Sequence, residues 1–332
     1  MVTHQQSAEA LREELQVWID REVERLGTSE AVDMGHRVEF HWPPRPVSLD
    51  YHVHGDQFVD AVIADFDGEP FTVRFAHTSQ GVFGRVERLW HEAKGESRAA
   101  VLTSLRNAAQ PLFSRQRQIA TLLGMPGRYC GSISELKPLD LIKLLFAANR
   151  DIGREAAVVI ETHASTHLFG SCLIEILKNR THPYRRAAHW QVLDLFEDLP
   201  SFCGTVDVQR EAVLAVRNLI LDATDDICRS IYKAGVVLGG HICTEDAAAA
   251  LLECFDSSDR IGRRAAYHAS FHLAEWLPAW RDRIVTKLQL AAESDPEPTL
   301  AIYCRHMARD VANEDIDHVA DPVFEDERSA ID

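Results

Sequence analysis

Two kinds of hydrophobic periodicity divide the chain. Apolar residues recur at helical spacing over residues 7–26, with Ser7 placed to cap the first turn and Gly27 after the last. Apolar and polar residues then alternate in four short runs, which predicts β-strands at residues 38–42, 47–53, 58–66 and 71–75. Asp67 and Gly68 form a hairpin signal between the last two. We expect a small antiparallel sheet with flanking helices, at 7–26 and at about 82–94, as an α+β cap domain over residues 1–95.

Everything after Gly95 has helical periodicity, which predicts an all-α domain over residues 96–312. Two helices are expected at residues 97–113 and 114–123, before a link rich in Gly and Pro at 124–132. Beyond the link, leucine-rich first helices are expected at residues 140–146, 173–177, 213–221, 247–255 and 284–290. Each is followed by a second helix, and these begin near Ile152, Pro183, Ile227, Ile261 and Pro298.

Three of the second helices contain copies of one segment. Residues 185–200 (RRAAHWQVLDLFEDLP) align with residues 263–278 (RRAAYHASFHLAEWLP) at an offset of 78, and a third copy begins at Ile152. Paired helices that repeat about every 30–45 residues are the signature of an α-solenoid, in which stacked repeats bury one another's apolar faces. The spacing therefore predicts an array of helical pairs.

Over residues 138–309 this pattern resembles the HEAT-repeat superfamily. The resemblance implies an α-solenoid with an Asp in the turn of each pair and an Arg early in the second helix, forming a ladder along the array. Asp225 with Arg229 and Asp259 with Arg263 match that motif, whereas Arg154 and Arg185 have no Asp at the same distance. The resemblance bears on architecture rather than activity, because solenoids serve many functions.

The charge of the chain restricts its partners. A formal net charge of −16 disfavours nucleic acid and anionic membranes and favours a protein partner with a basic patch. No secretory leader and no long apolar span is expected, and seven scattered cysteines without a C-x-x-C motif indicate reduced thiols in the cytoplasm. Residues 313–332 contain eight acidic residues and one Arg, which predicts a flexible acidic tail.

Two histidine pairs are the sharpest candidates for chemistry. His163 with His167 and His268 with His272 have the H-x-x-x-H spacing, which places both imidazoles on one face of a helix and is compatible with a metal ion. His163 and His272 occupy the same position of the repeat, where the intervening copy has Asp194. The alternative is that these histidines pack between repeats and hydrogen-bond a neighbouring turn. Neither pair supplies a third ligand, so no metal cofactor is expected there.

Other candidates have weaker patterns. His52 and His54 alternate on one strand face, which could be a metal site or the solvated face of a half-buried sheet. Trp276 and Trp280 flank Pro278 and could anchor a partner, although burial between repeats is the favoured interpretation.

The sequence favours a non-enzymatic cytoplasmic scaffold, adaptor or assembly factor that binds a protein partner through one helical face and needs no cofactor. It contains no phosphate-binding loop and no nucleophile elbow. The similar deoxyhypusine hydroxylases use repeated His-Glu dipeptides, and here His-Glu occurs once, at His91 and Glu92. The alternative is a protein like the HEAT-type phycobilin lyases, which bind an open-chain tetrapyrrole and attach it to a client protein.

Overall fold

The computed structural model describes residues 4–28, 60–89, 91–223, 229–314 and 322. The chain divides into two compact units, Glu39–Ser132 and Met1–Val38 with Ile133–Asp332. Several sequence predictions lie outside the described residues: the strands at 38–42 and 47–53, the His52 and His54 pair, Asp225, and the tail beyond residue 314 except Pro322.

The unit Glu39–Ser132 contains a small antiparallel sheet. Its described strands, in spatial as well as chain order, are β1 (Asp60–Phe66), β2 (Glu69–Thr78), β3 (Gly81–Val86) and β4 (His91–Gly95). The predicted hairpin joins β1 to β2, and both of its residues have positive φ, 59° at Asp67 and 81° at Gly68. Such a turn matches the twist of the strands it connects. The predicted antiparallel sheet is therefore confirmed in the part of the chain that is described.

The helix predicted at about residues 82–94 is wrong. This segment forms β3, a 3₁₀ turn at Glu87–Leu89, and β4. β3 pairs with β2 on one side and with β4 on the other, so neighbouring strands satisfy its backbone hydrogen bonds. Pairing with the neighbouring strands therefore outweighed the local helical spacing of the apolar residues.

One helix covers a face of this sheet. The two helices expected at 97–113 and 114–123 are a single helix, α2 (Arg98–Leu122), whose N-cap Ser97 accepts a hydrogen bond from the Ala100 amide at 3.2 Å. Val101, Leu105, Ala109 and Phe113 recur every four residues and share one apolar core with the strands. Because α2 packs on the sheet, the division between the compact units falls at residue 132, whereas the pattern of the sequence places a domain boundary at 95.

The other unit is helical. Its longer helices are α1 (His4–Leu26), α3 (Pro138–Leu144), α4 (Arg150–Glu161), α5 (Gly170–Lys178), α6 (Arg185–Leu195), α7 (Val206–Leu221), α8 (Arg229–Val236), α9 (Glu245–Glu253), α10 (Arg260–Trp276), α11 (Arg281–Ser294) and α12 (Pro298–Asn313). A four-residue helix, Leu199–Phe202, lies between α6 and α7. The alternation of first and second helices expected from residue 138 onward is thus present. Within the described part of the chain, no helix combines the length and apolarity that crossing a bilayer requires.

The N-terminal helix belongs to this helical unit. α1 contacts α3 and α5, although the sequence placed it in the cap. Trp18 stacks on the buried His182 with ring centroids 5.7 Å apart and meets Phe146 edge-on at 5.4 Å. The apolar face of α1 therefore packs against α3 and α5, which follow the sheet in the chain.

The remaining helices contact one another in a regular order. Each first helix packs on the second helix that follows it, giving the pairs α3–α4, α5–α6, α7–α8, α9–α10 and α11–α12. Successive second helices also meet, as α4–α6, α6–α8, α8–α10 and α10–α12. α8 and α10 come close enough that a Cβ on Gly239, just beyond α8, would collide with the carbonyl oxygen of Ala269. Small residues at repeated positions thus let the backbones approach.

A buried ion pair links α10 to the turn before α12. Arg263 donates to both carboxylate oxygens of Asp295, at 2.9 and 3.2 Å, and the Asp295 side chain is fully buried. Burial opposes ionisation of Asp295, but hydrogen bonds from Arg263, the Glu297 amide and Tyr267 hold the pKa of its carboxyl below its usual value. Asp259 instead caps α10, accepting from the Ile261 amide at 2.7 Å. Arg263 therefore pairs with the turn of the next helical pair.

Candidate functional site

The candidate site is built on one face of α10. Asp259 caps the helix and its alanines are buried against neighbouring helices, which fixes the direction of the remaining side chains. His268 and His272 are partly buried, and their Nε2 atoms lie 3.2 Å apart. The expectation that this H-x-x-x-H pair shares a helix face is confirmed.

Two tyrosines from adjacent second helices complete the site. The hydroxyl of Tyr232 on α8 lies 2.6 Å from His268 Nε2, and the hydroxyl of Tyr303 on α12 lies 3.4 Å from His268 Nδ1. Glu275, one turn further along α10, places a carboxylate oxygen 3.8 Å from His272 Nδ1. We refer to Tyr232, His268, His272 and Tyr303 as the imidazole–phenol cluster. It joins three consecutive second helices through side chains.

Irregular backbone lies beside the cluster. After α8 the chain continues as a π-helical segment, Val237–Ile242, and then reaches Cys243 in the left-handed conformation, with φ 47°. A Cβ on Gly240 would lie 3.6 Å from the Cβ of His272. π-Helical turns are rare and are frequent at functional sites. Gly240 of this segment therefore lies against His272 at the edge of the cluster.

Asp194 is held by a different partner. It forms an ion pair with Lys233 on α8, which also lies 3.3 Å from Glu197 and 4.7 Å from the centre of the Trp190 ring. Burial lowers the pKa of Lys233 to about 8, while the two carboxylates favour its charged form. The structure therefore places Asp194 in a salt bridge between α6 and α8.

The other histidine pair does not share a helix. α4 ends at Glu161, so His163 lies in the following turn, where its Nδ1 accepts a hydrogen bond from the Ser165 amide at 3.0 Å. His167 lies in the short 3₁₀ helix Thr166–Leu168. The prediction that both imidazoles occupy one helical face is wrong for this pair, because the helix stops before either of them.

The two tryptophans have separate environments. Trp280 is 6% exposed, donates to Glu245 Oε2 at 2.7 Å and stacks under Arg283 at 3.9 Å. Trp276 is 65% exposed, one helical turn beyond His272. Trp280 is therefore part of the packing between α9 and the turn after α10, and Trp276 is left on the surface of the candidate site.

The sequence pattern does not single out Tyr232 or Tyr303. They precede and follow His268 by 36 and 35 residues, within the range of the repeat spacing, and that spacing is the signal that could have identified them. Among the described residues, no group of three or more His, Cys, Asp or Glu side chains could hold a metal ion.

Comparisons with models of protein families, with curated proteins and with solved structures find no match to this chain.

Proposed function

We propose that this chain is a HEAT-type scaffold or assembly factor that binds a protein partner through the face of its second helices. The observation that carries the proposal is the exposed Trp276 beside the imidazole–phenol cluster, on a face that three consecutive second helices share. A large exposed aromatic side chain next to satisfied polar groups is typical of the centre of a protein interface.

The contacts between helices support a repeat architecture. Each first helix packs on its second helix, and the second helices contact one another in order, as in stacked repeats. The Arg263–Asp295 pair joins successive repeats in the manner of the ladder that the HEAT resemblance implies. A repeat protein of this kind offers a long surface made of equivalent positions, which suits recognition of an extended partner.

The charge of the chain favours a basic partner. The net charge is −16, and Glu275 next to Trp276 has a half-exposed side chain. Complementary charge speeds association and selects partners, and its effect falls as salt increases. Six cysteines are free within the described residues, in agreement with the proposed cytoplasmic setting.

The test measures binding to proteins that co-purify with the chain from the cells that produce it. The candidate partner is purified and titrated against wild type, Trp276→Ala and Leu290→Ala. Leu290 lies on α11 and is 55% exposed, so its truncation controls for loss of exposed apolar surface elsewhere. We expect Trp276→Ala to weaken binding by on the order of 30-fold and Leu290→Ala to leave it unchanged.

The same titration at increasing salt tests the charge argument. Affinity should fall as salt rises. A partner that binds wild type and Trp276→Ala equally well would contradict the proposed binding surface. An affinity that does not change with salt concentration would contradict a basic patch on the partner.

A tetrapyrrole-binding role is the second proposal. His268, His272 and Trp276 lie at intervals of four residues on α10, which sets imidazole groups beside an exposed aromatic ring. That combination suits a flat ligand with acceptor and donor nitrogens. Mixing the protein with a bilin should shift its visible absorption band in wild type and less in Trp276→Ala; an unshifted band with wild type excludes this role.

A further inference from the structure

The two Nε2 atoms of the candidate site are spaced as ligands of one ion. They lie 3.2 Å apart, on His268 and His272. With a metal–nitrogen distance of about 2.0–2.1 Å, this separation corresponds to a ligand–metal–ligand angle of about 100°, near the tetrahedral value of about 109°.

The other nitrogen of each ring has an oxygen partner. Nδ1 of His268 lies 3.4 Å from the Tyr303 hydroxyl, and Nδ1 of His272 lies 3.8 Å from a Glu275 carboxylate oxygen. A histidine that ligates a metal through one nitrogen usually donates its other N–H to such an oxygen, which selects the tautomer and orients the ring. His268 thus has the supporting hydrogen bond, and His272 has a carboxylate oxygen at ion-pair distance from its Nδ1.

A third ligand is within reach. The Tyr232 hydroxyl lies 2.6 Å from His268 Nε2, so an ion bound at that nitrogen would be next to the phenol oxygen. Binding through oxygen releases the phenol proton to solvent, and any proton shared by the two Nε2 atoms is released in the same way. Imidazole with phenolate is a donor set that suits zinc and copper rather than magnesium or calcium.

The site is open on one side. The side chain of His272 is 31% exposed and that of Glu275 is 50% exposed, whereas His268 is enclosed between Tyr232 and Tyr303. The described residues supply no further His, Cys, Asp or Glu for a set of three. Water or an incoming ligand would therefore occupy the remaining coordination positions, as in open rather than structural zinc sites.

We propose that His268, His272 and Tyr232 form an open site for one divalent transition-metal ion, zinc or copper. Tyr303 and Glu275 are positioning residues that orient the two imidazoles. The metal site lies on the same face as the proposed partner surface, but the proposal does not require the partner, since the ligands are side chains of α8 and α10.

The experiment uses the full chain without a histidine tag, first cleared of metal with a chelator. Zn²⁺ is titrated by calorimetry, and Cu²⁺ is followed by visible absorption. We expect one Zn²⁺ per chain and a copper–phenolate charge-transfer band. His272→Gln should weaken Zn²⁺ binding by on the order of 100-fold, and Glu275→Gln by about 10-fold. Tyr232→Phe should remove the copper–phenolate band while weakening Zn²⁺ binding less than His272→Gln does.

The chain has 16 histidines, so the controls must separate this site from weak binding elsewhere. The double variant His163→Gln/His167→Gln removes a pair that has the same spacing in the sequence but does not share a helix. The double variant His52→Gln/His54→Gln removes the other candidate pair. Both should bind Zn²⁺ as wild type does. His272 is half-buried at a helix surface, so its variant tests the site even where changes at His268 prevent folding.

Three results would overturn the proposal. The first is the absence of 1:1 Zn²⁺ or Cu²⁺ binding by wild type. The second is unchanged binding by His272→Gln. The third is loss of binding in either control pair.

Discussion

The buried ion pair between Arg263 and Asp295 allows a quantitative test of the packing. Asp295→Ala removes an acceptor that receives four hydrogen bonds: two from Arg263, one from the Tyr267 hydroxyl at 2.7 Å and one from the Glu297 amide at 2.8 Å. It also leaves the guanidinium of Arg263 buried without its carboxylate, since only 10% of that side chain is exposed.

Removing one partner of a buried ion pair costs about 3–5 kcal/mol. Arg263 keeps two hydrogen bonds after the substitution, to the carbonyl oxygens of Ser257 and Ser258 at 3.0 and 3.1 Å. These bonds still stabilise the positive charge, so we expect a loss near the lower end, about 3 kcal/mol.

Urea unfolding followed by far-ultraviolet circular dichroism measures the loss, because the helices dominate that signal. Asp256→Ala is the matched control. Asp256 also forms an ion pair, with Lys287 on α11 at 3.7 Å, but its side chain is 78% exposed. An exposed pair of this kind contributes at most about 1 kcal/mol.

A double-mutant cycle with Arg263→Ala completes the test. The loss in free energy of unfolding in the double variant should be well below the sum of the two single losses, because each single substitution leaves the other partner buried without its counter-charge. Equal losses in Asp295→Ala and Asp256→Ala, or additive costs in the cycle, would refute the interpretation. The contribution of Asp295 should be complete above its unfolded pKa of about 3.9 and should disappear as pH falls through the lowered folded value.

Three further predictions concern packing, protonation and thiol exposure. Gly239→Ala should lower the free energy of unfolding by about 1–3 kcal/mol, because its Cβ collides with α10, whereas Gly204→Ala, with open space around it, should change stability by less than about 1 kcal/mol in urea titrations. Burial lowers the pKa of His189 to about 3 and of His182 to about 4, so the unfolded chain alone takes up these protons below about pH 6.5. Stability should therefore fall by about 1.4 kcal/mol per pH unit for each histidine between about pH 6 and 4, and His189→Gln should reduce that slope; a slope unchanged in the variant would contradict it. Cys130 is exposed, so a thiol reagent monitored by mass spectrometry should label it in the folded protein and leave the four buried cysteines unmodified until urea unfolds the chain.

The helical pairs were predictable because their periodicity is local. Apolar residues at helical spacing and the repeated segment located the second helices, which begin at Arg150, Arg185, Arg229, Arg260 and Pro298. Residues 82–94 also had helical spacing but became two strands. β3 pairs with β2 and β4 pairs with β3, and the helical spacing of the apolar residues does not reveal this strand pairing.

The two histidine pairs illustrate the same limit. His163–His167 and His268–His272 have identical spacing, yet only the second lies within one helix. The difference is where each helix ends, and α4 stops at Glu161 although its pattern could continue. Helix ends are set by capping and by packing of the next segment, so spacing alone did not separate the pairs.

The sequence by itself determined the repeated helical pairs and the residues that recur in them, because helix periodicity and caps act within a few residues of the chain. Only the tertiary structure decided that α1 packs on the helical unit, that α2 packs on the sheet, and that Tyr232 and Tyr303 meet His268. The two tyrosine contacts join residues about 35 positions apart, and the packing of α1 and α2 depends on which other segment covers their apolar faces. Complementary packing between segments determines these contacts, and the pattern of a single segment does not contain that information.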